Sequence, residues 1–189
     1  MFKNLEHTHK TTPQEFARTL NTISWVAFWL QLGLAVVSVA ILSFAIADPN
    51  FNLKGTNPMS GTGLFFAVSG IFALSIGIYW AFSYTRLAVQ LQDFDGGIHL
   101  KKSEVIRVLW KGLFINGVGA ILTLLGVEAI VGTLIAKSLT QVEGLAIYNS
   151  SQLIEPLDLL VIQANVNTIV AQAMGILLAA WLISRIGRH

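Results

Sequence analysis

GLFINGVGAILTLLGVEAIVGTLIAKSLT, residues Gly112 to Thr140, is one apolar helix's worth of sequence holding a single carboxylate, Glu128, and closed by Lys137. About 20 such residues cross the hydrocarbon core of a bilayer, and this stretch exceeds that. Three more runs match it: Thr19–Ala47, Thr62–Tyr84 and Leu159–Ser184 carry no charge. Over the 189 residues, 54% are hydrophobic, 12% are charged and the mean hydropathy is +0.66. Soluble domains carry about 25% charged residues. A water-soluble fold would have to bury every one of these elements on all sides, which a chain of this length cannot do. The expected fold is therefore all-α, a four-span transmembrane helical bundle. The absence of cysteine excludes disulfides, thiolate metal sites and a thiol nucleophile.

Outward from that stretch, the chain divides into a polar tail over residues 1–18, a membrane domain over 19–184 and a short tail over 185–189. The expected spans are 19–47, 62–84, 110–136 and 158–184, with a loop at 85–109. Thr12-Pro13-Gln14-Glu15 reads as a helix start, with Thr12 as N-cap, Pro13 at the first helical position and Glu15 closing a capping box. Trp25 and Trp29 suit an aromatic belt at the entry of the first span, and Tyr79, Trp80 and Tyr84 lie near the exit of the second. Ala45-Ile46-Ala47 imitates a signal-peptidase site, but the apolar run before it is too extended, so the first span is expected to be retained. Pro49, Gly55, Pro58 and Gly61 break the chain between the first two spans. Pro156 fits the first turn of the fourth helix.

The basic residues set an expected orientation. Lys3, Lys10 and Arg18, then Arg86, Lys101, Lys102, Arg107 and Lys111, then Arg185 and Arg188 lie on one side, against Lys54 and Lys137 on the other. By the positive-inside rule both termini and the middle loop face the cytoplasm. Glu15-Phe-Ala-Arg18 before span one echoes Glu104-Val-Ile-Arg107 before span three, and Thr85-Arg86 echoes Ser184-Arg185. A two-hairpin pseudo-repeat would produce this, and so would the similar duties of any two cytoplasmic caps.

Helices in lipid associate through close packing of small residues. Span two sets Gly63, Ala67, Gly70, Gly77 and Ala81 on one face, span three Gly112, Asn116, Gly119, Thr123 and Gly126. Span one carries Ser24, Ala27, Gln31, Ala35, Ser38 and Ala45 along one stripe. A tight bundle is the economical reading of these seams, with a polar conduit as its rival. On span four, Asp158, Asn165, Thr168 and Gln172 fall within about an 80° arc, with Gln163 and Asn167 nearly opposite. Two amide faces cannot both meet hydrocarbon cheaply. That helix is expected to be enclosed by neighbours or to line water on one side. Glu128 sits about 120° from the seam of its own helix, as a contact on a transport path, at a second interface, or as a carboxylate reaching outward or to Lys137. The candidate path is thus Glu128, Asp158, Asn165, Thr168 and Gln172.

No enzyme chemistry emerges. His7, His9, His99 and His189 all lie in tails or the loop, and Met174 suits a packing gap. Asp93-x-Asp95-Gly96 lacks the remaining ligands of a calcium loop and reads as a turn. Phosphate-binding loops, dinucleotide fingerprints and serine elbows are missing. No cofactor and no nucleic-acid partner are expected, and no metal ligand set can be named.

Lys102-Ser103-Glu104-Val105-Ile106-Arg107, the run Leu125-Gly126-Val127-Glu128-Ala129-Ile130-Val131-Gly132-Thr133-Leu134-Ile135-Ala136-Lys137-Ser138-Leu139, and Leu157-Asp158-Leu159-Leu160-Val161-Ile162-Gln163-Ala164-Asn165-Val166-Asn167-Thr168 resemble the permease-in-chloroplasts family of small inner-envelope membrane proteins. The resemblance implies four spans and one of two roles described for that family: an iron permease, or a small subunit of a protein-import translocon. Without a Ser/Arg-rich transit peptide, this chain is expected to be a cyanobacterial relative in a plasma or thylakoid membrane. The leading expectation is a permease or permease subunit for a metal ion, iron first among the divalent candidates, acting as a homo-oligomer or within a membrane complex. The alternative is a non-transporting scaffold, assembly or translocon-type subunit.

Overall fold

A computed structural model describes residues 13–47, 62–92, 102–141 and 156–187, and every one of them is helical: α1 (Pro13–Ala47), α2 (Thr62–Gln92), α3 (Lys102–Gln141) and α4 (Pro156–Gly187). The Thr12 cap, the 48–61 and Asp93–Gly97 turns, the connection after Gln141 and all four histidines lie outside the described residues. All four helices are long and apolar enough to cross a membrane. They outrun the uncharged stretches: α2 continues from Tyr84 to Gln92, and α3 starts at Lys102. Polar residues at these ends are good helix formers, and no glycine or proline falls between Gly77 and Gly96 or between Gly97 and Gly112. Pro13 and Pro156 begin their helices, where a missing N–H removes no helical bond.

Each helix packs against its neighbours in the cyclic order α1–α2–α3–α4, with α1 closing on α4 and a lesser contact between α2 and α4. Neighbouring helices run antiparallel: on α3, Gly112, Gly119 and Gly126 meet Tyr84, Ala73 and Ala67 of α2 in descending order. The buried positions repeat every 3.5 residues. On α2 they include Gly63, Ala67, Gly70, Leu74, Gly77, Ala81 and Tyr84, and on α4 Asp158, Val161, Asn165, Thr168, Gln172, Gly175, Ala179 and Leu182. A 3.5 period keeps one seam inward only in a left-handed bundle.

The core has apolar ends and a polar waist. Leu20, Ala27, Tyr84, Val105, Leu109, Leu178 and Leu182 fill one end, and Leu42, Ala45, Ala67, Ile130, Leu134, Val161 and Ala164 the other. Large apolar side chains such as Phe44, Phe65, Phe72 and Phe114 point outward instead. That inversion is what a lipid solvent favours, since tails offer Phe and Leu as good a contact as another helix does. Trp29 is 61% exposed, in keeping with a belt, but Tyr84 is only 2% exposed. Its hydroxyl donates to the Leu109 carbonyl at 3.5 Å. Tyr84 is therefore a core residue, placed there by the 3.5 period that sets Gly77 and Ala81 inward.

Candidate functional site

The waist is built where small residues leave room for amides. Gln172 on α4 donates through Nε2 to the Gly70 carbonyl of α2 at 3.0 Å, and its Oε1 lies 3.3 Å from the Thr123 hydroxyl of α3, whose single hydrogen is shared with the Gly119 carbonyl at 2.9 Å. One amide thus ties three helices. Space for it exists only because Gly119 has no side chain: a Cβ there would lie 2.5 Å from Gln172 Nε2 and 2.8 Å from Ala73 Cβ. Gly70 does the same for Thr123, whose hydroxyl would collide with any added Cβ.

One turn along, the Asn116 amide lies between two glycines. A Cβ on Gly77 would sit 2.5 Å from its Oδ1, and one on Gly175 2.8 Å from its Nδ2. Asn116 Nδ2 donates to the Gly112 carbonyl at 2.9 Å. Gln31 and Ser38 bind α1 to α4 by donating to the carbonyls of Ala171 and Ala164, at 3.0 and 2.8 Å. On α4 itself, Asn165 and Thr168 return their donors to Val161 and Ala164, both at 2.9 Å. Ser24 Oγ, Gln31 Oε1 and Asn116 Oδ1 in this seam have no hydrogen-bond partner among the described residues.

The residues singled out from the sequence separate into two groups. Asp158, Asn165, Thr168 and Gln172 come together on the inner face of α4, each no more than 1% exposed. Glu128 does not join them. It faces outward from α3 and forms no hydrogen bond or ion pair with the described residues; the Lys137 side chain lies outside them. The packing seam of Gly63, Ala67, Gly70, Gly77, Ala81, Gly112, Gly119 and Gly126 is buried throughout. The expectation that α4 is enclosed holds on one face only. Gln163 is exposed and Asn167 half-buried, and Gln163 Nε2 donates to Asn167 Oδ1 at 2.9 Å. An i, i+4 amide pair can satisfy part of its own hydrogen bonding, so α4 can show both amides outward.

Gly175 was not legible as a site residue, because what it accommodates, Gln31 and Asn116, arrives from two other helices. Its one signal is its heptad position after Gln172. Among the described residues no group of three His, Asp or Glu side chains is gathered. An apolar groove runs along the outside of α2 and α3, lined by Phe65, Val68, Phe72, Phe114, Val118 and Leu122.

Against known proteins, a family model described as "Protein of unknown function (DUF3611)" matches residues 10–187. The chain is also similar to "Protein TIC 21, chloroplastic" of Arabidopsis thaliana, at 30% identity over 175 residues, covering 90% of this chain and 57% of that protein. The chain thus spans little more than half the length of this curated relative. No solved structure matches.

Proposed function

The chain belongs to the DUF3611 family, with a chloroplast protein among its relatives as the sequence resemblance implies, and from this premise we propose that it is a membrane-embedded assembly subunit, binding other membrane proteins through the outer surface of its bundle. One observation carries this reading. Gln31, Ser38, Asn116, Thr123 and Gln172 interlock with glycines, carbonyls or amides of neighbouring helices, while Glu128 faces away from the bundle. Side chains that conduct an ion must be reachable by it, and here Gln172 is occupied in holding helices together while Asn165 and Thr168 are buried with their donors returned to carbonyls of α4. An outward carboxyl in hydrocarbon, by contrast, is unfavourable until a second protein partners it.

In this proposal the basic end, with Arg18, Arg86, Arg107, Lys111 and Arg185 exposed, faces the cytoplasm of a cyanobacterial plasma or thylakoid membrane. Extraction of the tagged protein from its native membrane in mild detergent is the test. A stoichiometric membrane partner, together with no iron uptake by vesicles holding the purified protein alone, is the expected result. Iron uptake by those vesicles above the protein-free level would overturn it.

A second reading, a permease or permease subunit for iron, is favoured by the orphan oxygens of Ser24, Gln31 and Asn116 in the waist. Buried acceptors without donors call for an explanation, and a passing cation is one. In that reading Asp158, Asn165, Thr168 and Gln172 form the path in an opened state, with Glu128 on a path between copies. Uptake abolished by Gln172→Leu would support it.

A further inference from the structure

Two outward polar patches lie at one depth in the membrane. Thr123 on α3 bonds Gln172 on antiparallel α4. Five residues on from Thr123 is Glu128, and five before Gln172 is Asn167, so these two side chains share a layer. They occupy different faces. Glu128 is about 160° around α3 from Gly126, which meets Ala67 of α2, and about 140° from Thr123, which meets Gln172 of α4, so it points outward from the middle of the free face of α3. Asn167 is about 40° around α4 from Ala171, whose carbonyl binds Gln31 of α1, so the Gln163–Asn167 pair lies on the α1 side.

Neither patch is an ordinary lipid-facing surface. Two of the outward hydroxyls are quieted by their own helix: Ser75 donates to Ile71 and Thr133 to Ile130. Glu128 has no such outlet. It stands eight residues before Ala136, where the apolar span ends, or about 12 Å along the helix axis. Helical side chains lean toward the N-terminus, which here carries the carboxyl toward the bilayer middle rather than toward water. One turn further, Gly132 bares its backbone, with nothing within 4 Å of where a Cβ would stand. Such a glycine lets another helix approach closely beside Glu128. On the other patch, Asn167 spends its Oδ1 on Gln163, which leaves both Nδ2 hydrogens for an acceptor beyond the bundle.

We propose that the Glu128 carboxyl of one copy accepts hydrogen bonds from the Asn167 and Gln163 amides of a second copy, so that the protein assembles head to tail in the membrane. The inference rests on the assembly reading and names one partner, another copy of this chain. Acceptor and donor patches occupy adjacent faces rather than one self-complementary face. Repetition of such a contact generates a ring where the rotation closes.

The chain has no cysteine, so engineered pairs report directly. Leu124 and Val170 are exposed one turn or less from Glu128 and Asn167 on the same faces. Oxidation of native membranes holding Leu124→Cys/Val170→Cys is expected to give a ladder of disulfide-linked dimers, trimers and larger rings, with each single variant remaining monomeric. Added Glu128→Gln keeps an acceptor and preserves the ladder. Added Glu128→Leu lowers it more than tenfold with unchanged helical circular dichroism. Dimers from Leu124→Cys alone would reveal a symmetric contact and overturn the head-to-tail arrangement. A ladder indifferent to Glu128→Leu would remove Glu128 from the interface. Absence of any ladder while a different partner still co-purifies would sink self-assembly and leave the assembly reading standing. Absence of both ladder and partner would sink the two together.

Discussion

Glycines in this bundle divide by what surrounds them. A Cβ on Gly70 would strike the Thr123 hydroxyl and lie 3.1 Å from its Cβ and 3.3 Å from its Cα, so backbone would have to move. Gly33 has nothing within 4 Å. Gly70→Ala is accordingly expected to destabilise the protein by about 1–3 kcal/mol, the usual range for overpacking. Gly33→Ala is expected to leave stability unchanged or raise it by up to about 1 kcal/mol, through its helical preference alone. Loss of helical circular dichroism on heating in a mild detergent separates them, and equal melting temperatures would refute the socket account. Gln172 offers a sharper probe. Removing Thr123 Oγ1 by Thr123→Val and the amide by Gln172→Leu should give a double-mutant cycle with about 0.6 kcal/mol of coupling, as for other interhelical hydrogen bonds in membranes, and at most about 1.7. A coupling of zero would mean that the 3.3 Å contact contributes nothing.

At the scale of the helix, the seams were readable because lipid selects strongly. With hydrocarbon outside, large apolar residues gain little by turning inward, and the small and polar ones collect where helices touch. Gly63, Ala67, Gly70 and Gly77 on α2, and Asp158, Asn165, Thr168 and Gln172 on α4, announce the inner face by spacing alone. Glu128 was likewise readable as lying off its own seam. The burial of Tyr84 was not, since an aromatic near a span end carries no sign of facing inward until the 3.5 period is followed to its last turn. Nor could the sequence say which helix receives which amide, because partner choice depends on three-dimensional neighbours. The α1–α4 contact illustrates this: Gln31 and Ser38 donate to Ala171 and Ala164, pairs separated by 140 and 126 residues. Gln31→Leu/Ser38→Ala is expected to weaken that contact by roughly 1–2 kcal/mol from two lost interhelical bonds. Hydrogen exchange should then accelerate along α1 more than along α2 and α3, and uniform acceleration would argue that the bundle opens as one unit. A smaller repetition is visible at two helix ends. Thr85 and Ser184 each donate to the carbonyl three residues before, of Phe82 and Trp181, and Arg86 and Arg185 lie over those same rings at 4.8 and 5.6 Å. The two halves thus end alike in structure as well as in sequence, an outcome that either a duplication or shared interfacial duties would give.

For the whole molecule, the decisive asymmetry is electrostatic. Because neighbouring helices are antiparallel, the starts of α1 and α3 and the finishes of α2 and α4 meet at one end, and Arg18, Arg86, Arg107, Lys111 and Arg185 are all exposed there. Near an anionic leaflet each Lys or Arg is worth about 1 kcal/mol, so five together are expected to bias the bundle toward the basic end inward. A chain without cysteine makes this orientation directly measurable. With Gly144→Cys and Asp95→Cys made separately, a membrane-impermeant maleimide added to intact cells should label the first and spare the second until the membrane is permeabilised. The opposite pattern would invert the bundle, and the consequence would reach Glu128. Under the expected orientation its layer, nearer the Ala136 end of α3, lies in the leaflet away from the cytoplasm, and the proposed contact with a second copy would form there. Under the inverted one, the same carboxyl and its contact with a second copy would lie in the cytoplasmic leaflet.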